Sequence, residues 1–165
     1  MSDKPSPINP TDNKARNLSV SLITQARFCA LAVLDPKTNH PHVTRIALGT
    51  DPSGKILSLV SDLAFHTSAL HQNPNCSLLI GEPKTTGDPL IHPRITLQCN
   101  AQFLPRTHPD FIGTRTHYLA QHPKAKLYID FADFNFVLFT IQSANLNGGF
   151  GKAFKLTAQD CTPSV

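Results

Sequence analysis

The stretch "SDLAFHTSALHQNP", residues 61–74, follows the apolar run "KILSLV" and places hydroxyl and imidazole groups where a strand should give way to a helix. Ser61 and Thr67 offer hydroxyl donors, and His66 falls in the first turn of the expected helix. Free backbone N–H groups and the helix dipole favour an anion there. Arg45, on a neighbouring expected strand, carries the planar guanidinium that grips a phosphate through two hydrogen bonds. The same residues also admit a structural reading, in which Ser61 or Asp62 caps the helix and Arg45 faces water. The residues alone leave both open.

The familiar catalytic patterns are absent: no G-x-S-x-G, H-E-x-x-H or G-x-x-x-x-G-K-[ST], and no G-x-G-x-x-G opening a helix. "GGFG" at residues 148–151 reads as a turn. His108, His117 and His122 lack the i, i+4 spacing that puts two ligands on one helix face, and His66 and His71 are five apart, so no metal site is expected. Cys29, Cys76, Cys99 and Cys161 form no C-x-x-C pair and read as reduced, buried thiols.

The elements that must position these residues follow from the pattern. A proline-rich tail over 1–10 gives way to a helix through "DNKARNLSVSLITQA", with Thr11 as its cap. "RFCALAVLD", "VTRIALGTD" and "ILSLVS", separated by "PKTNHPH" and "PSGK" turns, read as an antiparallel meander. Phe65 to Gln72 form a short helix, and "NPNCSLLIGE" leads into another strand. In "RITLQCNAQFLP", polar Thr96, Gln98 and Asn100 alternate with apolar Ile95, Leu97 and Cys99, which marks a strand with one buried face. A helix opened by Thr107 ends before Pro123, a helical connection continues through "AKLYIDFADF", and "NFVLFTIQSANL" is a last strand.

With 165 residues, one domain over 11–157 and a C-terminal tail over 158–165 are expected. The formal charge is +4, without a run of basic residues, so neither nucleic acid nor membrane is an expected partner; an anionic small molecule suits the excess better. "MSDKPSPINPTDNK" has no apolar core like that of a signal peptide, and a cytoplasmic protein is expected.

The order of motifs resembles the pyridoxamine 5'-phosphate oxidase-like, FMN-binding split barrels, and within them the haem-utilisation branch. The segments that carry the likeness are "LAVLD…HPHVTRIALGTDPSGKILSLVSDLAFHTSALHQNPNCSLLI", "GDPLIHPRITLQCNAQF", "HYLAQHPKAKLYIDFADF" and "NGGFGKAF". The resemblance implies a mainly β fold, a six-stranded antiparallel split β-barrel with flanking helices, acting as a homodimer with two FMN molecules in clefts between subunits. It assigns Arg45, Ile46 and Ala47 to the phosphate and ring segment, Val60 and Ser61 to a strand end facing the flavin, and His66 and Thr67 to the phosphate. Arg94 matches a polar position near the ring, and Lys152 a basic position after the glycine turn. His66 stands where vitamin-oxidising members carry Lys, and the C-terminal substrate pattern of those members is not reproduced by "GGFGKAFKL".

The function expected first is therefore an FMN-dependent oxidoreductase acting on an unidentified small molecule, with no catalytic residue named. The alternative is a haem-binding or haem-degrading protein using the same cleft. A non-catalytic FMN carrier or sensor is the third reading.

Overall fold

A computed structural model describes residues 7–163. Its nine strands are β1 (Ile8–Asn9), β2 (Phe28–Leu34), β3 (Pro41–Ala47), β4 (Gly49–Thr50), β5 (Ile56–Ser61), β6 (Asn75–Ile80), β7 (Arg94–Leu104), β8 (Phe134–Asn147) and β9 (Ala153–Thr157). The helices are α1 (Asn13–Gln25), α2 (Phe65–Gln72) and α3 (Phe111–Gln121). Hydrogen bonding runs in the order β1-β9-β8-β7-β6-β2-β3, with β5 pairing both β4 and β8. All pairs are antiparallel except β1 with β9. The arrangement is consistent with a split barrel. The count of nine against the expected six has a simple origin: Leu48 alone separates β3 from β4, and β1 and β9 extend the sheet beyond β8.

The expected meander holds in a broken form. β3 pairs β2 along its whole length, whereas β5 pairs the short β4 and then crosses to β8. β5 is buried at every position from Ile56 to Val60 because it has core on both faces. Ile56 and Val60 join Leu31, Leu78, Ile95, Leu97 and Val137 inside the barrel. Leu57 and Leu59 point the other way, into a second core with Phe136, Phe111, Tyr118 and Ile129 beneath α3. A strand buried on both faces loses the polar alternation of a one-sided strand, which is why "ILSLV" reads as a continuous apolar run.

Several element ends differ from expectation. Asp12, not Thr11, caps α1: its Oδ1 accepts from the Ala15 N–H at 2.7 Å, while the Thr11 hydroxyl donates to the Lys155 carbonyl. α3 begins at Phe111, after turns through Pro105 and His108 absorb the "PRTHPD" segment that Thr107 was expected to cap. Helical structure after Pro123 is limited to a 3-10 turn over Pro123–Leu127. "AFKLT" forms β9, paired with both β8 and β1. Of the expected N-terminal tail, residues 1–6 lie outside the described residues, and Ile8–Asn9 form β1. At the other end, Gln159–Cys161 make a 3-10 turn, with Cys161 buried and Asp160 bonded to Arg16 at 2.7 Å.

Two predictions follow from this packing. Ser58 is fully buried and its hydroxyl has no partner among the described residues. An unpaired buried hydroxyl costs about 1–3 kcal/mol, so Ser58→Ala is expected to leave stability unchanged or raise it in urea unfolding; a clear loss would show that the hydroxyl is bonded. Asp160 is held below the ordinary carboxylate range, first by the Thr157 backbone N–H and then by Arg16. A depressed folded-state pKa stabilises the protein above the unfolded value and is lost as pH falls through the folded one. Thermal melts should therefore fall more steeply on acidification below about pH 4 for the parent than for Asp160→Asn; equal slopes would refute the coupling.

Candidate functional site

β3 pairs with β2 and with no other strand, so its second edge lacks a strand partner along Pro41–Ala47. Around that edge the structure gathers the groups with chemical capacity. His42, Thr44 and Ile46 share the barrel-interior face, opposite Val33, Leu31 and Cys29 of β2. Ile46 is buried, but His42 lies near the strand's open end and is exposed. The Phe65 ring at the start of α2 packs against the His42 ring, centroids 4.5 Å apart. His66, the next residue, is half-buried. Burial, and secondly the nearby His42, hold the His66 imidazole below its ordinary pKa. Such a lowering favours the neutral imidazole, one of whose ring nitrogens carries a lone pair.

The outward face of β3 carries Val43 and Arg45. The Arg45 guanidinium carbon lies 5.2 Å from the centre of the Phe28 ring. Register extends this face across the sheet: Arg45 pairs Ala30, Ala30 pairs Leu79, Leu79 pairs Thr96, Thr96 pairs Asn145, and Asn145 pairs Lys155. Cross-strand partners point to the same side, so these six form one outward row. Val43, Leu79 and Phe28 are 63%, 45% and 40% exposed. With Ala30 and Ala32 between them, they make a shallow apolar strip on the solvent side of the sheet, with Arg45 at one edge.

Arg94 and Lys152 meet at a different corner. Arg94 opens β7 opposite Asn147, and its guanidinium donates to the Leu90 and His92 carbonyls at 2.8 and 3.3 Å. Gly81 makes this approach possible: a Cβ there would lie 2.5 Å from the Pro93 carbonyl oxygen, and its φ of +112° suits glycine. The Ile91 carbonyl lies against Gly149 in the turn that Lys152 closes, where the Gly148 N–H donates to the Lys152 carbonyl at 2.8 Å. The Lys152 side chain is exposed.

Ser61 and Thr67 tie the end of β5 to α2. The Thr67 hydroxyl, fully buried, donates to the Ser61 carbonyl at 2.7 Å. The Ser61 hydroxyl donates to Asp133 Oδ2 at 2.6 Å and accepts from the Leu63 N–H. The side chains of Ile46 and Val60 lie in the core, while Ala47 is half-buried, opposite Phe28. The nine sequence-derived residues thus fall into a β3–α2 group (Arg45, Ile46, Ala47, Val60, Ser61, His66, Thr67) and an Arg94–Lys152 group. His42, Phe65, Phe28 and Asp133 were missed because their contacts join distant segments, and no local pattern marks them.

All four cysteines are free and buried, with Cys76 and Cys99 directly opposite each other in β6 and β7. Burial pushes the Cys29 and Cys76 thiols up to about 12. They are inert core groups. Among the described residues, no group of three His, Cys, Asp or Glu could hold a metal ion. No described helix is long and apolar enough to cross a membrane.

The sheet is a partly closed antiparallel β-barrel with an open strand edge and an apolar, cation-edged outer face. The chain belongs to the CREG beta-barrel family, whose sequence profile matches residues 12–162. It is 35% identical over 115 residues to the non-canonical heme oxygenase HOZ, chloroplastic, of Arabidopsis thaliana. That match covers 70% of this chain and 34% of the plant protein, so the chain spans about a third of the length of the curated relative it matches. A heme binding protein from Mycobacterium smegmatis superposes with a TM-score of 0.77 at 25% identity, over 93% of this chain and 61% of that one. Campylobacter jejuni ChuZ shares the fold, with a TM-score of 0.81 at 16% identity, over 92% of this chain and 63% of that one.

Thr67→Val removes the buried bond from α2 to the Ser61 carbonyl, and a loss of about 1 kcal/mol in urea unfolding is expected. No loss would mean that the bond contributes nothing to holding α2 against β5.

Proposed function

We propose that this chain binds haem along the open edge of β3, and that the haem-handling reading takes precedence over the flavin one. The observation that carries it is the half-buried imidazole of His66 on α2, beside exposed Phe65, whose ring packs on His42 of β3, the edge strand that bears Arg45 on its other face. Haem is suited by an apolar surface for its ring, cations for its propionates and a side-chain donor for its iron, for which an imidazole lone pair serves. The residues present fit those needs: His66 would ligate, Arg45 would hold a propionate, and Phe65, Val43 and Phe28 offer apolar surface. When bound, haem supplies iron-centred chemistry, and the protein orients the group and shields it from water. The names of the plant and mycobacterial relatives support the same ligand. The plant relative's name extends the proposal to haem breakdown.

Flavin is the second reading, and one observation favours it. α2 has no side-chain N-cap, and the N–H groups of Phe65 and His66 have no acceptor among the described residues. Against a phosphate there stand Asp62, which immediately precedes the turn into α2, and Asp133, on the Ser61 hydroxyl. The two hydroxyls read as anion donors, Ser61 and Thr67, already donate within the chain. The same site would serve an FMN-dependent oxidoreductase or an FMN carrier. A homodimer belongs to the proposal as well, because two copies meeting over the exposed strip would cover Val43, Leu79 and Phe28.

Haem titration at pH 7.5, followed by the Soret band, tests the reading. Saturable binding is expected, weakened about tenfold or more in His66→Ala with a shifted Soret band, and weakened without a band shift in Arg45→Gln. Because the His66 pKa is depressed, protons compete for its lone pair only below the ordinary imidazole range, so affinity should hold through that range and fall only beneath it. Loss of affinity as pH rises, or a His66→Ala variant that binds as the parent does, would overturn the assignment. A purified protein carrying bands near ~375 and ~450 nm through gel filtration would establish flavin instead.

A further inference from the structure

A cavity of about 730 Å3 opens among the α1 C-terminus, the β4–β5 hairpin and the middle of β8, and none of the residues discussed for haem or flavin lines it. Its volume falls within the range of small-molecule sites. The floor is apolar: Ile23, Ile56, Phe139 and Cys161 are buried there, and Leu138 and Ile141 complete it.

The polar groups on its walls are mostly engaged already. Gln121 Oε1 accepts from the Thr50 N–H at 2.9 Å, and its Nε2 donates to the Thr50 hydroxyl at 3.0 Å. Gly49 permits that fit, since a Cβ there would stand 2.7 Å from Gln121 Oε1. The hydroxyls of Thr24, Ser53 and Thr162 donate to Val20, Asp51 and Ala158. Arg27 and Lys55 differ. Both line the cavity, no Asp or Glu lines it, and neither side chain has a hydrogen-bond or ion-pair partner among the described residues.

We infer that this cavity is a second binding site, for a small molecule with an apolar body and a carboxylate. The apolar floor takes the body, and Arg27 and Lys55 take the charge. The site is separate from the β3 edge and stands whether or not the haem reading does.

Isothermal titration of the full chain with dodecanoate, against dodecanol and dodecyltrimethylammonium below their aggregation concentrations, tests the inference. One saturable site for dodecanoate is expected, with both controls at least tenfold weaker. Arg27→Gln combined with Lys55→Gln should bring dodecanoate down to the level of dodecanol, while haem titration of the same variant matches the parent. Leu138→Trp, which narrows the cavity and keeps both cations, should also abolish dodecanoate binding. The inference is overturned if acid and alcohol bind alike, if the double variant binds dodecanoate as the parent does, or if no saturable binding occurs. Circular dichroism identifies any variant that has merely failed to fold.

Discussion

The structure depends on one strand changing partners. β8 runs from Phe134 to Asn147 and pairs β7 between Phe136 and Asn147, but its second neighbour is β5 over Phe134–Leu138 and β9 over Ser143–Asn147. Between these halves Gln142 has no partner, lying between the Gln98–Ser143 and Cys99–Ile141 pairs. One unpaired residue reverses which side chains face inward. Val137 and Phe139 before it, and Ala144 and Leu146 after it, therefore all point into the same barrel core. Without that offset, the second half of the strand would turn Asn145 and Asn147 inward.

The same arrangement builds the second core and leaves an edge open. Because β5 is drawn to β8, its outer face of Leu57 and Leu59 meets Phe136 and is covered by α3. β5 is hydrogen-bonded to the β3–β4 segment only through the short β4 ladder. β3 therefore has no strand beyond it, and α2 stands at that gap, tied to the end of β5 by the Thr67–Ser61 bond. His66 takes its half-buried position from this docking, and burial lowers its pKa. The electrostatic character of the site thus follows first from strand topology, through burial, and secondly from the neighbouring His42.

Much of this was legible in the residues. The Phe65–Gln72 helix, the β7 alternation and the buried free thiols follow from periodicity, capping and spacing, which are local properties. The ends of α1 and α3 were misplaced because Thr11 and Thr107 are good cap residues whose neighbours are also competent caps or turn formers. Only the contact with Lys155 takes Thr11 out of the capping position. At the site, residues 45, 61, 66 and 67 were expected as donors from their side-chain chemistry alone. What the sequence hid was that the Ser61 and Thr67 hydroxyls are already used within the chain, through an aspartate 72 residues away and a carbonyl six residues back.

The sequence by itself determined the antiparallel β class, the helix that follows β5 and the candidate donors around residues 45–67, because these depend on side-chain chemistry and short-range periodicity. The tertiary structure alone decided the switch of β8 between β5 and β9, the open edge of β3 and the meeting of His42 with Phe65. It also gathered Arg27 and Lys55 around a shared apolar cavity. Such contacts join residues far apart in the chain, and the free energy that selects them belongs to the assembled core, where no single segment carries its signature.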